Sequence, residues 1–550
     1  MKRRVSIYQV LPRLFGNQNS TNQPHGSYET NGAGKLNDFT SERLKAIKDL
    51  GCTHIWYTGV IEHATKTAFG DHIPANHPAV VKGEAGSPYA ITDYYDIAPE
   101  LASRPQERMK EFEALVQRTH REGMGVIIDF VPNHLSRAYR SDAKESYIHD
   151  FGEDDNTRVA FAPNNNFYYL PGQTLELKWG QENIDFPYTE YPAKVTGNDV
   201  FSATPSQNDW YETVKLNYGI DLQGDWHTYF DPIPDTWRKM LDILCYWASK
   251  GVDGFRCDMA ELVPSSFWHW VIGELRKNHP EILFIAEVYQ PSRYEEYIEA
   301  RFDYLYDKVG LYDKLIQILK GEGSTSEIGR LLTSQERVKH HLLRFMENHD
   351  EQRIASDFVL GDGALAFPAM CTSALIDGNP LMIYFGQELG ESGMDCEGFS
   401  GRDGRTTIFD YWSVESVRDW LKGKEFELRP QYRWLLHTAQ LPIFAQGSFY
   451  DLTYTNSSFA EQRLFVFMRA LENEVALVVV NFSNDRQVVE LNIPPHAFET
   501  LSIATERVYK VTEVNSNRST FTTLSTTAPY SISAYPLTAT IHLFDSPTDL

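Results

Sequence analysis

Four acids stand out by position: Asp129, Asp258, Glu287 and Asp350 each fall at or just past the end of a short apolar run. Arg256 lies two places before Asp258, and His134 and His349 fall beside the same run ends. A single acid at a strand end caps a helix or holds water. Four together require a joint explanation, either a divalent-metal site or acid/base chemistry by paired carboxylates. In Gly251-Val252-Asp253-Gly254-Phe255-Arg256-Cys257-Asp258 the strand period of two places Val252, Gly254, Arg256 and Asp258 on one face, with Phe255 and Cys257 on the other.

The neighbours choose between the two chemistries. A guanidinium beside Asp258 predicts a carboxylate held ionised, as a nucleophile requires. Glu287 follows Leu283-Phe284-Ile285-Ala286, and desolvation by that run predicts a raised pKa, as a general acid requires. Retaining glycosidases use such a pair, ~5–5.5 Å apart, one carboxylate attacking the anomeric carbon and the other protonating the leaving oxygen. Asp350 would then orient substrate hydroxyls. His134 and His349 read alone as buried structural histidines; beside the acids they read as neutral donors to sugar hydroxyls. Tyr89, in Ser87-Pro88-Tyr89, offers a ring to a pyranose face or simply covers core.

Positioning these groups requires strands whose ends converge. Apolar runs at 5–11, 55–60, 125–131, 252–258, 282–288, 302–306, 343–347 and 381–385 alternate with helical segments at Ser41–Leu50, 105–122, 237–250, 265–279, 364–377 and 429–440. Within 237–250, Trp237, Met240, Leu241, Leu244 and Trp247 recur at helical spacing. Eight strands alternating with helices predict an α/β (β/α)₈ barrel over a doubly wound sheet, with the acids gathered at its mouth. The segment 135–215 is too long for a connecting loop and rich in aromatics, as in Asn164-Asn165-Asn166-Phe167-Tyr168-Tyr169. It predicts a small inserted domain after the third strand. From about 445 the chain turns to alternating β-type runs at 463–470, 475–482 and 487–493, with a turn at Glu472-Asn473 and no helical period in the Thr/Ser-rich tail. These features predict a C-terminal antiparallel β-sandwich. The expected divisions are 1–134 and 216–444 for the barrel, 135–215 for the insert and 445–550 for the sandwich.

A formal net charge of -24 with no cluster of Lys and Arg argues against a nucleic-acid partner. The sequence has no run of eighteen apolar residues, so no membrane span is expected. Met1-Lys2-Arg3-Arg4 is followed by Gln9, Pro12 and Arg13, which break any signal-peptide apolar core and predict a cytoplasmic protein. Cys52, Cys245, Cys257, Cys371 and Cys396 are odd in number and far apart, as reduced thiols are, and fit neither a disulfide framework nor a zinc site. Oligomeric state leaves no mark in the sequence.

At these residues the chain resembles the α-amylase family, glycoside hydrolase family 13. The resemblance rests on Asp129-Phe130-Val131-Pro132-Asn133-His134, Gly254-Phe255-Arg256-Cys257-Asp258, Ile285-Ala286-Glu287-Val288 and Phe345-Met346-Glu347-Asn348-His349-Asp350, in that order. Tyr8–Phe15, Pro88–Tyr95 and Tyr384–Glu388 extend it over about residues 5–440. It implies Asp258 as nucleophile, Glu287 as general acid/base and Asp350 as transition-state stabiliser. It also implies that Tyr89, His134, Arg256, His349 and Arg353 line the sugar subsites, with Asp129 supporting them, and that Asn133 matches a calcium ligand. The implied substrate is a maltooligosaccharide or related α-glucan, cleaved at α-1,4 bonds with no required cofactor, calcium being a candidate ligand. The chain departs from typical endo-acting α-amylases after the nucleophile. Met259-Ala260-Glu261-Leu262 stands there in place of a segment carrying Lys-His, which bears on both the sugar contacts beyond the cleaved bond and the calcium. Lys215-Leu216-Asn217 resembles a motif of neopullulanase-type members. Other readings are a transglycosylase, a sucrose- or trehalose-acting relative, a non-catalytic carbohydrate-binding subunit and a metalloenzyme.

Overall fold

The computed structural model describes residues 4–180, 186–393, 399, 401–505 and 507–545. Eight parallel strands close into a barrel: β1 (Ser6–Val10), β2 (His54–Tyr57), β3 (Gly125–Phe130), β4 (Gly254–Cys257), β5 (Leu283–Ala286), β6 (Tyr304–Tyr306), β7 (Leu342–Phe345) and β8 (Leu381–Tyr384). Each strand pairs with its sequence neighbour, and β1 closes the ring on β8 with Ser6 opposite Leu381. The returning helices are α1 (Ser41–Leu50), α2 (Arg108–Arg121), α3 (Asp235–Ser249), α4 (Ser265–Leu275), α5 (Tyr294–Glu299), α6 (Asp313–Leu319), α7 (Phe367–Leu375) and α8 (Leu428–Ala439).

Local chemistry explains the element ends. The Thr40 hydroxyl accepts from the Arg43 amide to start α1, and Gly51, at φ 118°, ends it in a conformation that glycine adopts without penalty. In α3, Trp237, Met240, Ile243, Leu244 and Trp247 are all buried, one continuous stripe against the sheet. The start expected for α2 is a 3₁₀ turn, Pro105–Glu107, opened by proline.

Inside the barrel, Ile7, Trp56, Ile127, Ile285, Tyr306, Leu343, Phe345 and Met382 form a closed apolar cluster. Two residues further along the same strands the inward positions turn polar, from Ile7 to Gln9, Ile127 to Asp129, Gly254 to Arg256 and Ile285 to Glu287. The register places Arg256 opposite Asp129 on one side and opposite Ile285 on the other. The period of two therefore seats a polar layer directly on an apolar plug.

The chain between β3 and α3 folds over the mouth. Strand His134–Ser136 pairs antiparallel with Thr213–Lys215, and Tyr169–Leu170 pairs with Ala193–Lys194. A small core of Tyr168, Leu170, Leu175, Val195 and Tyr211 also takes in Ala79 and Val80 from the loop after β2.

At the C-terminal end β9 (Ser448–Asp451), β10 (Leu464–Leu471), β11 (Glu474–Asn481), β12 (Gln487–Leu491), β13 (Arg507–Glu513), β14 (Arg518–Leu524), β15 (Tyr530–Ala534) and β16 (Thr538–Asp545) are all antiparallel. They form a six-stranded sheet, in the order β9-β10-β11-β16-β13-β14, and a pair, β12-β15. Val466, Met468, Leu477 and Val479 face the pair, with Val489, Leu491 and Ile532 in the same cluster. Phe465, Phe467, Val478 and Val480 instead join the main core. The alternation expected for 463–470 and 475–482 is thus corrected: β10 and β11 are almost continuously apolar because both of their faces are buried. The tail also holds a helix, Pro495–Leu501, that its sequence pattern did not predict. Its buried Ala497, Phe498 and Leu501 span too few residues to show a period.

Cys52, Cys245, Cys257 and Cys371 are free thiols, whereas Cys396 lies outside the described residues. No helix among the described residues is long and apolar enough to cross a membrane.

Candidate active site

The C-terminal ends of β3, β4, β5 and β7 bring all four acids to one place, with Arg256 as the hub. Its Nη1 lies 2.7 Å from Asp258 Oδ1 and 3.4 Å from Asp129 Oδ1; its Nη2 lies 2.8 Å from Glu287 Oε1 and 4.0 Å from Asp350 Oδ2. Nε donates to the Tyr306 hydroxyl at 3.2 Å, and the guanidinium carbon sits 5.4 Å from the ring centres of both Trp56 and Tyr89. A planar fork between aromatic rings has little freedom to turn, so the carboxylates it holds are fixed relative to each other.

Each acid has further partners. Glu287 Oε2 accepts from the Met259 amide at 2.7 Å, and its Oε1 from the Tyr289 hydroxyl at 2.8 Å. Met259 reaches that position with φ 44° and ψ 41°, a left-handed conformation that costs a non-glycine residue about 1–3 kcal/mol and persists where the surroundings impose it. Asp129 Oδ2 accepts from the Trp56 indole and the Gly59 amide, both at 3.1 Å. Asp350 Oδ2 lies 3.0 Å from His349 Nε2. His349 is itself held by the Tyr89 hydroxyl at 2.6 Å and by Gln9 Nε2 at 2.8 Å.

Four carboxyls around one guanidinium cannot all be ordinary. Burial pushes the Asp258 carboxyl well above the usual aspartate range; Arg256 pulls it down, while Glu287 and Asp129 add to the rise. The expectation that Arg256 alone would keep Asp258 ionised is thus corrected, because loss of water outweighs one ion pair. Asp129 is raised for the same reason, against the pull of Arg256 and His349. For Asp350 burial is again the largest influence, but His349, Arg256 and Arg405 together outweigh it and hold the carboxyl below its usual range. Asp258 and Asp129 therefore hold their protons to higher pH than isolated aspartates do, whereas Asp350 gives its proton up more readily. Burial, with Lys215 and Lys82 nearby, lowers His134 to about 3, so its imidazole is neutral at physiological pH.

A cavity of about 250 Å³ opens over this cluster, and Tyr89, His134, Asp258, Glu287 and Asp350 all line it. Arg256, Asp129 and His349 lie directly behind them, each at most 4 % exposed. Arg353 is placed differently from its expected subsite role. It is fully buried, donating to Glu347 at 2.8 Å, Thr406 at 2.7 Å and the Phe385 carbonyl at 2.8 Å, so it ties the loop after β8 to the barrel. The lining also includes Lys82, Trp210, Glu212, Tyr289 and Phe409, which sequence reasoning missed. Tyr289 alone carried a signal, since it stands two places after Glu287.

Asn133 does not fit a calcium ion. Its Oδ1 accepts from Lys215 Nζ at 2.5 Å, and that ammonium also lies 3.0 Å from Asp199 Oδ1. The Asn133 amide nitrogen donates to the Gly197 carbonyl at 2.8 Å. A lysine cation thus fills the place where six to eight oxygens would have to gather. No group of three or more acids, histidines or cysteines among the described residues could hold a metal.

The chain is similar to several known proteins. An α-amylase, MalA, from Haloarcula japonica is 25% identical over 461 residues, covering 82% of this chain and 53% of that protein, so the chain spans about half the relative's length. Neopullulanase 2 from Thermoactinomyces vulgaris is 21% identical over 516 residues, 90% of this chain and 72% of that protein. The crystal structure of an α-amylase from Lactobacillus plantarum superposes over 98% of both chains with a TM-score of 0.64 at 20% identity, a likeness of fold. The sequence model of the α-amylase catalytic domain matches residues 9–434, from the first barrel strand into α8. With the site's four acids and arginine set on those strands, the chain belongs to the α-amylase family.

Proposed function

We propose that the protein is a retaining glycoside hydrolase that cleaves α-glucosidic bonds, foremost α-1,4, in maltooligosaccharides or related α-glucans. One observation carries the reading: a single buried guanidinium contacts Asp258 at 2.7 Å and Glu287 at 2.8 Å beneath one cavity. A pair joined through one fork favours the ~5–5.5 Å separation of retaining enzymes over the ~6.5–9.5 Å of inverting ones. Asp258 attacks the anomeric carbon as the bond to the leaving oxygen breaks, and Glu287 gives that oxygen a proton. Water then attacks the glycosyl-enzyme, losing its proton to Glu287 and freeing Asp258. Asp350, fixed by His349, faces the charge that develops on the sugar ring, and Tyr89 presents its ring to the pyranose. None of these steps needs a cofactor.

The reading is supported by the family and by relatives named for α-amylase and neopullulanase activity. Its test is release of reducing sugar from maltoheptaose, starch, pullulan and isomaltose by purified, folded protein. Release from the α-1,4 substrates is expected, and inactivity on the whole panel refutes the proposal. Chromatography of the products separates hydrolysis from transfer, because transfer yields chains longer than the substrate.

A further inference from the structure

The cavity's walls differ in exposure. Lys82, Ser87, His134, Glu212, Thr213 and Ile408 are each less than a tenth exposed, whereas Trp210, Met259, Tyr289, Asp350 and Phe409 are partly open to solvent. The second set is the rim. Besides Arg256, two rim groups hold Glu287, the Met259 amide and the Tyr289 hydroxyl. The general acid therefore faces the open side, and the leaving group departs through it. The buried set forms a blind end beyond Asp258.

Two loops are tied together behind that end, through the backbone of Phe409 although its ring reaches the rim. The Ala85 amide donates to the Phe409 carbonyl at 2.9 Å and the Glu84 amide to Asp410 at 3.3 Å. Gly83, at φ 66°, approaches so closely that a Cβ there would stand 2.3 Å from the Phe409 carbonyl oxygen. The Tyr411 hydroxyl lies 3.0 Å from both Thr65 and Thr67. The blind end also carries charge: Lys82 Nζ lies 3.0 Å from Glu212 Oε1, while Glu212 Oε2 is buried with no partner in the protein. A buried carboxylate oxygen without a donor is costly unless something supplies one. Turning the Glu212 carboxyl toward the cavity it lines would bring that oxygen to a sugar hydroxyl, and the ammonium beside it would donate to a second hydroxyl. The whole cavity, rim included, measures about 250 Å³, below the ~300–1,000 Å³ of pockets for drug-sized ligands, which suits a single hexose better than several.

We propose that the enzyme acts from the non-reducing end, taking one terminal glucosyl unit into the blind end, where Lys82 and Glu212 read its outer hydroxyls. The inference rests on the hydrolase reading and adds its mode of attack. Two maltoheptaosides test it, one with a free non-reducing end and one whose terminal 4- and 6-hydroxyls are closed in a cyclic acetal. The free substrate should be consumed with glucose as first product, the blocked one at least 100-fold more slowly. Turnover of both within a few-fold overturns the blind end while leaving the hydrolase reading intact, and turnover of neither removes both. A second measurement addresses the charged pair. Glu212→Gln should raise KM for maltotriose at least tenfold with kcat changed less than threefold and an unchanged circular dichroism spectrum; an unaltered KM overturns the role of Glu212.

Discussion

Arg256→Lys keeps the positive charge at the hub and removes the fork. The native guanidinium holds Asp258 at 2.7 Å and Glu287 at 2.8 Å with separate nitrogens; an ammonium on a single stem satisfies one of the two. Losing one of these charged contacts, about 1.5–3 kcal/mol where it is a hydrogen bond as at Asp258, in a site whose geometry the transition state needs, lowers kcat/KM by about 10- to 150-fold. The pH profile moves as well. Arg256 is the influence that pulls Asp258 down against burial, so a less well placed cation lets that carboxyl rise further. The nucleophile must be ionised, and the acid limb of kcat/KM shifts to higher pH. Arg256→Met goes further, leaving buried carboxylates without a counter-ion at a cost of about 3–5 kcal/mol in stability. Initial rates on maltotriose from pH 4 to 8, with denaturant unfolding of each variant, measure both effects. A lysine variant within threefold of wild type and with an unmoved acid limb would refute the hub argument.

Asp258→Asn removes the attacking oxygen and should cut turnover at least about 10³-fold, about 4 kcal/mol on the barrier, with folding unchanged by circular dichroism; near-normal rates would strip the nucleophile role from Asp258. Tyr289→Phe takes one donor from Glu287 Oε1 and should lower kcat/KM by about tenfold, the upper end of what one hydrogen bond contributes; an unchanged kcat/KM would make Tyr289 merely part of the wall. Dialysis against EDTA should leave activity intact because Lys215 holds Asn133, and Lys215→Met should lower unfolding free energy by about 1–3 kcal/mol through the orphaned amide oxygen. Activity lost to chelation and restored by calcium would contradict this. His134, lowered from 6.5 to about 3, stays neutral in the fold while the unfolded chain takes up a proton. Stability should therefore fall as pH drops below 6.5, approaching about 1.4 kcal/mol per pH unit from this residue. Denaturant titrations should show that slope reduced in His134→Gln, and identical slopes would exclude it.

The barrel was legible because its strands are short apolar runs with punctuated ends, and Ser41–Leu50 appears as a helix with the bounds its sequence predicts. The acids were legible because the period of two that buries Ile127 and Ile285 lifts Asp129 and Glu287 to the mouth. What the pattern could not carry was anything set by contact between distant loops. Lys82 meets Glu212, Gly83 meets Phe409, and Lys215 meets Asn133 only after the excursion folds back. The balance at Asp258 was misjudged for a similar reason: the arginine is visible two residues away, but the depth of burial that outweighs it is a property of the whole mouth.

Covalent catalysis by Asp258 and Glu287 would leave the anomeric configuration of the product retained. The most direct test follows the anomeric protons by NMR in the first minutes of maltotriose hydrolysis, before mutarotation. Retention predicts that the newly formed reducing end appears first as the α-anomer. Initial appearance of the β-anomer would mean direct displacement by water, and would contradict the claim.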